Sequence, residues 1–590
     1  MKKKPAKLNA TKDAARVPIV MFGPSLKKQG KLRSKKKLGH TSDPKFAWVR
    51  IVCLHEGDAE TPIEQWRALG EKYMAHLSSN GEGCYSRSLY ALRMFFEYYA
   101  WRYHIYNPED FLTLKRDANL PPLQGPKGND TAFLDNREGA KLCNHLHDFL
   151  TWVIKTEYSS DEDGHPIPIP GVRVPFERKN YGGIYQPDET VQPVLPYKYM
   201  CELRDMLAPG TDFGDWKRAQ DATGKNSGLR SGDWFEVDKS EIDENDPDCV
   251  WRGPVTVRVY NRQLSEQERR KNKRPGASIG TREVYYIWSP VAAVALLSKL
   301  EMPWRTYQVR MLDSGEADAS CVELDPEGEQ AFLNAQQGKK HASGSTDGID
   351  PDTNKTSLVH KNLFRWVENP ERTTLLDRLT RDQRGRVSKN QGVFWPCEDA
   401  RVGKFVGFFI NTNKTADADK VWQLGGYHIA YQHSSLLRWL VKLRNWQKKY
   451  NSLQRPTLWT ELSVKHTLRL KSDFHLQAAS PTCFLFRDAS ARQKRQGDET
   501  KPISDNAIDC LWTRLLTILE HKKKESGETD ADGKAVRLIR IHRKEISKST
   551  PFFPLHSLRV SWISNLADAG MKLDLMLKLV GHTRMVMTIY

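Results

Sequence analysis

The residues with the clearest chemical potential lie in the last 35 positions of the chain, from His556 to Tyr590. A His-x-x-Arg pair, His556 and Arg559, is followed by a Gly-His pair that ends at His582. Arginine forks and histidines can bind phosphate oxygens, and a phenol can attack phosphorus to form a covalent intermediate. Together these side chains predict phosphoryl transfer through a tyrosine.

The spacing of these residues also predicts their local structure. Residues three positions apart lie on one side of a helix, so His556 and Arg559 would share one helical turn. Gly570 is expected to end this helix, because glycine readily adopts the left-handed conformation at a helix C-terminus. The helix would be anchored by a set of apolar residues, namely Leu558, Trp562, Ile563 and Leu566.

This ordered set of residues resembles the C-terminal signature of the tyrosine recombinases, the phage-integrase family. The run LRNWQKKYN over residues 443–451 resembles the large bacterial site-specific integrases of that family. The resemblance implies that Arg559 and His582 bind the scissile phosphate. It assigns His556 to the role of general base or phosphate contact. Tyr590 would then be the nucleophile that forms a 3′-phosphotyrosine bond.

The spacing of Tyr590 leaves two alternatives open. Tyr590 follows His582 by eight residues, whereas the family nucleophile usually follows this histidine by about nine. Either the connecting loop is one residue shorter, or the chain stops just before the true nucleophile. A shift of one residue rotates a helical side chain by about 100°, so the two alternatives bring different side chains to the phosphate.

A second arginine is expected far upstream of the signature. The family usually carries one in a T-G-x-R-x-x-E-like turn before a strand, and the match here is Ser227-Gly228-Leu229-Arg230. Asp233 stands where the family usually has glutamate, and its carboxylate could orient the arginine despite its shorter reach. The resemblance therefore assigns Arg230 to the phosphate, and the alternative is an ordinary surface arginine in a helix-capping turn.

The family also uses a lysine on a β-hairpin as the general acid that protonates the leaving 5′ oxygen. Two hairpins in the sequence compete for this role. Lys414 lies in the turn INTNKT between two strand-like runs, and we favour it because it resembles the T-K-T turn of many integrases. Lys273, with Lys271 close by, lies in the basic connection between VTVRVYN and REVYYIW and is the alternative.

Composition points to a polyanionic partner. The net charge is +18, and residues 1–40 contain 13 Lys and Arg against one acid, Asp13. Such a balance favours nucleic acid, with the N-terminal segment lying along phosphates. No run approaches the roughly 20 apolar residues of a membrane span, and the N-terminus lacks a signal-peptide core. Nine cysteines are scattered without metal-ligand spacing, which predicts reduced thiols in a cytoplasmic protein. The resemblance implies no metal and no cofactor, because a phosphotyrosine would store the bond energy.

At 590 residues the chain is too long for one core, and the sequence predicts several domains. The catalytic part is expected to be mixed α+β, mainly helical with small antiparallel β-hairpins. The predicted parts are a basic disordered tail (1–45), a helical SAM-like core-binding domain (46–160), a linker or extended arm (161–195) and a catalytic domain (196–590) with an insertion around 303–400.

Periodicity and capping signals predict individual elements within these domains. Polar, Gly- and Asp-rich residues 312–355 are expected to form a loop or flexible insertion. Predicted helices cover 61–78, 85–103, 138–156, 197–208, 289–300 and 434–450, and predicted strands cover 255–261, 282–288, 405–413 and 427–432.

The resemblance implies a site-specific recombinase of a phage or mobile element that binds double-stranded DNA as a homotetramer on paired sites. In a bacterium it would associate with the nucleoid when bound to DNA. Two alternatives remain at this point. One is a catalytically inactive or truncated DNA-binding protein on the same fold, and the other is a type IB topoisomerase, which uses the same residue types.

Overall fold

The structure is a computed structural model that describes only part of the chain. The N-terminal tail, expected to be disordered, lies outside the described residues. The described residues are 62–79, 85–100, 103, 105, 107–113, 122–125, 132–162, 165–179, 193–216, 233–260, 278–342, 363–400, 403–412, 426–467, 473–491, 497–530, 532–540 and 550–581.

Helices dominate the described residues, and the strands are mostly short. The helices are α1 (Pro62–Ser79), α2 (Tyr85–Phe95), α3 (Pro108–Leu112), α4 (Arg137–Glu157), α5 (Tyr197–Leu207), α6 (Val291–Glu301), α7 (Thr306–Arg310), α8 (Pro326–Ala342), α9 (Arg372–Leu376), α10 (Arg381–Gly385), α11 (Ser434–Tyr450), α12 (Val464–Thr467), α13 (Asp473–Ala478), α14 (Asp505–Glu525), α15 (Leu555–Asp568) and α16 (Leu573–Val580). The strands are β1 (Gln124–Gly125), β2 (Phe133–Leu134), β3 (Ser159–Glu162), β4 (His165–Pro168), β5 (Trp234–Val237), β6 (Trp251–Tyr260), β7 (Ser278–Trp288), β8 (Ser320–Leu324), β9 (Phe364–Glu368), β10 (Phe394–Asp399), β11 (Gly403–Ile410), β12 (Tyr427–Ile429), β13 (Ile539–Arg540) and β14 (Thr550–Pro551).

The first of two compact units comprises the described residues up to 179 together with Trp459–Ala479. Helices α1, α2 and α4 pack around Trp66, whose ring lies 5.5 Å from that of Phe95 and 6.2 Å from that of Phe149. The indole Nε1 of Trp66 donates to the carbonyl of Ile105 at 3.0 Å, so its polar atom is satisfied inside the core. Helix α2 continues as a π-helical turn over Phe96–Ala100, where the sequence predicted a regular helix.

The stretch predicted as a linker begins with structure of its own. Strands β3 and β4 form a two-stranded antiparallel hairpin. Beyond it, Val172, Val174 and Phe176 pack against the core of the first unit. The side chain of Asn144 on α4 both donates to and accepts from the backbone of Lys179, at 2.9 and 2.8 Å. The described residues 165–179 are thus held against the helices, and the predicted domain boundaries themselves stay a prediction.

The second unit comprises the described residues of 193–458 and 480–581, and α6 lies at its centre. All eleven residues of α6 are buried, as its apolar sequence VAAVALLSKLE requires. Helices α5, α11, α14 and α15 pack around it. Two charged residues, Lys299 and Glu301, lie in its last turn, so the C-terminal end of α6 is the polar end of the core.

Two three-stranded antiparallel sheets belong to this unit. One has the order β5-β7-β6, and β7 leads directly into α6. The other has the order β10-β11-β12, with Phe394, Phe408 and Ile410 buried in the main core. The strands predicted at 255–261 and 282–288 correspond to the antiparallel pair β6 and β7. Those predicted at 405–413 and 427–432 correspond to β11 and β12, which end earlier, at Ile410 and Ile429.

The prediction of a loop or flexible insertion over 312–355 is wrong for the residues that the structure describes there. Strand β8 and helix α8 lie within this stretch, and Asp313, Glu316 and Asp318 are buried. These acids are satisfied by internal partners, because Glu316 pairs with Arg487 at 2.6 Å and the Asp313 carboxylate accepts from Gln391 at 2.8 Å. A polar composition predicts solvent exposure, whereas these acids form an internal hydrogen-bond network.

The described residues thus form a mixed α+β protein, mainly helical with small antiparallel sheets. This confirms the coarse prediction of fold class. None of the helices in the described part of the chain is long and apolar enough to cross a membrane.

Candidate active site

Helix α15 carries His556 and Arg559 and is fixed firmly in the second unit. Leu558 is fully buried on its inner side. The hydroxyl of Ser561 accepts a hydrogen bond from the backbone of Leu195 at 2.7 Å. Gly570, with a φ of 76°, follows the end of the helix, as the sequence predicted. The backbone that presents Arg559 is therefore rigid.

Arg559 lies at the C-terminal end of α6 and joins three segments. Its guanidinium donates through Nη1 to the carbonyl of Pro303 and through Nη2 to the carbonyl of Val580 at 2.8 Å. Pro303 follows α6, and Val580 is the last residue of α16. The carbonyls at a helix C-terminus lack partners within the helix, so Arg559 satisfies one of those of α16. The side chain thereby ties α15 to the end of α6 and to the residues before His582.

His556 occupies the first turn of the same helix but differs from Arg559 in burial. His556 is exposed, whereas Arg559 is buried. The two residues are three positions apart, so they occupy neighbouring positions on adjacent turns. The first turn of α15 thus carries an exposed imidazole, and the next turn carries the buried arginine.

The glycine of the Gly-His pair is required by its surroundings. Gly581 has a φ of 66°, in the left-handed region, and follows α16 as its C-cap. A Cβ atom at this position would lie 2.3 Å from Cζ of Tyr427 on β12. Both the backbone conformation and the close approach of the phenol ring therefore exclude a side chain. The contact holds the end of α16 against the hairpin that β11 and β12 form.

The same hairpin carries the favoured lysine in its connection. The side-chain amide Nε2 of Gln308 on α7 lies 3.2 Å from the carbonyl of Thr412 and 3.4 Å from the hydroxyl of Tyr427. Ile410 pairs with Tyr427 at the end of the two strands. The described ends of the connection between β11 and β12 therefore lie beside Gln308, close to Arg559. Lys414 itself is in this connection, two positions after Thr412, and lies outside the described residues.

Other predicted site residues also fall outside the described part of the chain. They are Arg230, His582 and Tyr590, together with the alternative lysines Lys271 and Lys273. Asp233, three positions after Arg230, accepts a backbone hydrogen bond from Ser289 at 2.8 Å, just before α6 begins. Helix α6 is about 16 Å long, so Asp233 and the carbonyl partner of Arg559 flank its opposite ends.

The electrostatics around Arg559 are those of a cationic cluster. Burial and, to a smaller extent, the charge of Arg305 lower the pKa of Arg559 to about 9, while Tyr427 acts in the opposite direction. Burial, together with the charge of Arg559, also lowers the pKa of Lys299 to about 7. Lys299 donates to the carbonyl of Trp304 at 2.9 Å. Like charges gathered in a low-dielectric site repel one another and favour an anion.

Tyr427 belongs to this cluster although it is not part of the sequence signature. Burial raises the pKa of its phenol, while Arg559 and Arg305 act to lower it. Gln308, whose side-chain oxygen accepts from the backbone of Arg305 at 2.9 Å, links this arginine to the phenol. The only local signal for the cluster was the pair of charges that ends the apolar run of α6, and sequence reasoning missed it. Arg305 and Gln308 gave no local signal, because they lie more than 100 residues from Tyr427 and from Arg559 in the sequence.

The arrangement can bind and neutralise a group with several anionic oxygens. Arg559, Arg305 and the phenol of Tyr427 come together where the hairpin, α15 and the end of α16 meet. Within the described residues, no group of three or more histidine, cysteine, aspartate and glutamate side chains is arranged to hold a metal ion. The chemistry open to these side chains is phosphate binding and proton transfer.

Comparison with known proteins identifies the family. The chain matches the family model described as "putative integrase" over residues 62–362 and 345–460, which together cover more than half of its 590 residues. Arg230 and both candidate lysines fall within the match, whereas His556 and Arg559 lie beyond it. No curated protein and no solved structure matches the chain. The chain therefore belongs to the integrase family, and the predicted assignment to the phage-integrase and recombinase group is confirmed.

Proposed function

We propose that this integrase is a tyrosine-type site-specific DNA recombinase, which cleaves and rejoins strands through a 3′-phosphotyrosine intermediate. Membership of the integrase family implies DNA binding and a role in recombination. The observation that carries the finer proposal is the convergence on Arg559 of α15, the end of α16 and the β11–β12 hairpin. Each of these segments leads into, or contains, at least one residue of the predicted catalytic set.

The proposed roles follow from the charges that each step creates. Arg559, Arg230 and His582 would bind the non-bridging oxygens of the scissile phosphate, where negative charge grows as the nucleophile attacks. The oxygen of Tyr590 would form a bond to phosphorus while His556 accepts the phenol proton. The bond from phosphorus to the 5′ oxygen would break as Lys414 donates a proton to that oxygen.

Rejoining is the same sequence of steps in reverse. A 5′ hydroxyl attacks the phosphotyrosine, the bond from phosphorus to tyrosine breaks, and the phenol regains its proton. The energy of the original phosphodiester is kept in the covalent intermediate, so the steps balance without a nucleotide. Arg559 has five N–H groups, and the two carbonyl contacts therefore do not exhaust its donor capacity.

The larger assembly is part of the proposal. The helical unit that contains α1, α2 and α4 would act as the SAM-like core-binding domain, and it would grip duplex DNA together with the catalytic domain. Four protomers would assemble on two DNA sites, each cleaving one strand. A phage or mobile element would supply the sites, and in a bacterium the protein would work at the nucleoid. The net charge of +18 supports extensive contact with phosphates.

A covalent trapping experiment tests the mechanism. DNA that the full-length protein binds specifically would first be selected from a random library or from element ends. A nick placed beside the cleavage position then lets a short 5′ fragment diffuse away, so the phosphotyrosine adduct accumulates. We expect wild type to form an adduct stable to denaturation and Tyr590→Phe to form none.

Two other outcomes would contradict either the mechanism or the identity of the nucleophile. Tight, salt-sensitive binding of the selected DNA without any adduct would refute the tyrosine mechanism. An adduct formed by Tyr590→Phe would assign the nucleophile to another tyrosine.

One observation favours a second candidate, a DNA-binding integrase relative without cleavage activity. Arg559 is buried, and its two terminal nitrogens donate to backbone carbonyls rather than facing solvent. If this geometry persists on DNA, the phosphate would lack its principal cation. Supercoil relaxation without sequence preference would instead indicate topoisomerase activity.

A further inference from the structure

We propose that Arg305 is an additional phosphate-binding residue of the active site and contacts a non-bridging oxygen of the scissile phosphate beside Arg559. The proposal rests on the proposed recombinase function. It assigns to the site a residue outside the sequence signature, from the turn between α6 and α7.

The position of Arg305 supports this role. Arg559 donates to the carbonyl of Pro303, which precedes Arg305 by two residues. The turn that contains Arg305 is therefore the turn to which Arg559 is hydrogen-bonded. The backbone N–H of Arg305 donates to the side chain of Gln308, which in turn contacts Tyr427 and Thr412. Arg305 therefore lies where α15 and the hairpin leading to Lys414 come together.

The accessibility of the two arginines is complementary. Arg559 is buried, whereas Arg305 is only partly buried, so part of Arg305 is accessible from solution. A guanidinium offers a planar fork of donors suited to phosphate oxygens. A buried arginine that fixes the backbone and a more accessible neighbour that reaches outward would together enclose one phosphate.

The charges of Arg305 and Arg559 also support this role. Arg305 and Arg559 are close enough for the charge of one to lower the pKa of the other. An anion between them would replace this repulsion with two attractive contacts.

The substitution Arg305→Gln tests the proposal without removing the helix cap, because that cap uses the backbone N–H of residue 305. Arg365→Gln is the matched control, since Arg365 is an exposed arginine paired with Glu323 on the strands β8 and β9. Adduct formation would be timed on the nicked substrate under single-turnover conditions. We expect Arg305→Gln to slow it about 100-fold, the usual effect of losing one donor to a developing oxyanion. Arg305→Lys should recover part of the rate, and Arg365→Gln should match wild type.

A second substrate separates phosphate contact from a structural role. A methylphosphonate at the cleavage position replaces one non-bridging oxygen with a neutral methyl group, so less charge needs a cation. We expect wild type and Arg305→Gln to differ less than fivefold on this substrate. An undiminished defect on the methylphosphonate would overturn the contact and leave only a structural effect.

The remaining outcomes distinguish this inference from the proposed function. Equal rates for wild type and Arg305→Gln on the normal phosphate would overturn the role of Arg305 alone. A wild-type protein that forms no adduct on specifically bound DNA would overturn the recombinase proposal, and the role of Arg305 with it.

Discussion

The burial of Lys299 predicts that the free energy of unfolding depends on pH. It is almost completely buried in the last turn of α6, and its ammonium donates to the carbonyl of Trp304. Burial, followed by the charge of Arg559, lowers its pKa from 10.5 to about 7. In the unfolded chain the same lysine would keep a pKa of about 10.4. Between these two values the unfolded state binds more protons at this residue than the folded state does.

The direction of the effect follows from that difference in bound protons. Stability contributed by this residue rises with pH from about 7 to about 10.5. A difference of one proton changes the free energy of unfolding by about 1.4 kcal/mol per pH unit. Near pH 7 the folded lysine is half protonated, so the slope begins at half this value. The gain between pH 7 and 9 is therefore about 2 kcal/mol.

The substitution Lys299→Met isolates this contribution, because methionine keeps an unbranched stem and cannot titrate. Urea unfolding of wild type and variant would be followed by tryptophan fluorescence at pH 7, 8 and 9. The stability of the variant relative to wild type should fall by about 2 kcal/mol from pH 7 to 9. Loss of the hydrogen bond to Trp304 adds a constant offset of about 1 kcal/mol against the variant. Lys404→Met, which removes an exposed lysine of β11, is the control.

A stability difference between wild type and Lys299→Met that stays constant across this pH range would refute the reasoning. It would mean that the ammonium keeps its charge inside the core. The positive charges around Arg559 would then be neutralised more completely than the contacts of Lys299 indicate.

Three further predictions address the site and the core. Gly581→Ala should reduce adduct formation more than tenfold, because its methyl group clashes with Tyr427. In the double variant with Tyr427→Ala the clash is gone, so the loss of rate should be smaller than the product of the two single losses. A loss equal to that product would contradict the steric explanation. Lys414→Ala should slow cleavage of a normal strand but not of a strand with sulfur as the 5′ leaving atom, because a thiolate leaves with little need for a proton. If sulfur rescues Lys273→Ala instead, the general acid is Lys273. Glu316→Gln should lower the free energy of unfolding by about 3–5 kcal/mol, because it leaves the charge of Arg487 buried without its partner. Glu323→Gln, which removes a half-exposed partner of Arg365, should cost less than about 1 kcal/mol in the same urea titration.

Helices that carry a complete local signal were predictable from the sequence. Helix α11 covers the predicted range 434–450 in full, and α1 and α4 begin and end within one residue of the predicted positions. Gly570 marked the end of α15 because a left-handed residue after a helix is a local requirement. In each case the apolar spacing, the cap and the breaker agree, so no distant contact is needed to choose the structure.

The elements that sequence reasoning missed depend on distant partners. Asp313, Glu316 and Asp318 look like surface residues, yet they are buried because Gln391 and Arg487 meet them inside the second unit. The pKa values of the carboxyl groups of Asp313 and Asp318 are raised by burial, as expected for acids enclosed in a core. Partners between 70 and 180 residues away in sequence leave no local pattern to recognise.

The candidate site divides in the same way. The helical relation between His556 and Arg559 was predictable because a short spacing on one helix encodes it. The positions of Arg305 and Tyr427 were not, because only the packing of α15 and α16 against the turn after α6 and the β11–β12 hairpin brings them to Arg559. The sequence therefore predicts only the part of the candidate site that a single segment carries.

The position of Arg559 has a consequence for how its mutants must be interpreted. Its guanidinium holds the carbonyl of Val580, two residues before His582, while the proposed mechanism also uses it to bind phosphate. Replacing Arg559 would remove a cation and, at the same time, release the end of α16 on which His582 depends. Effects of residues that act as a unit are not additive. Arg559→Ala combined with His582→Ala should therefore be little worse than Arg559→Ala alone in adduct formation, whereas independent roles would multiply the two defects.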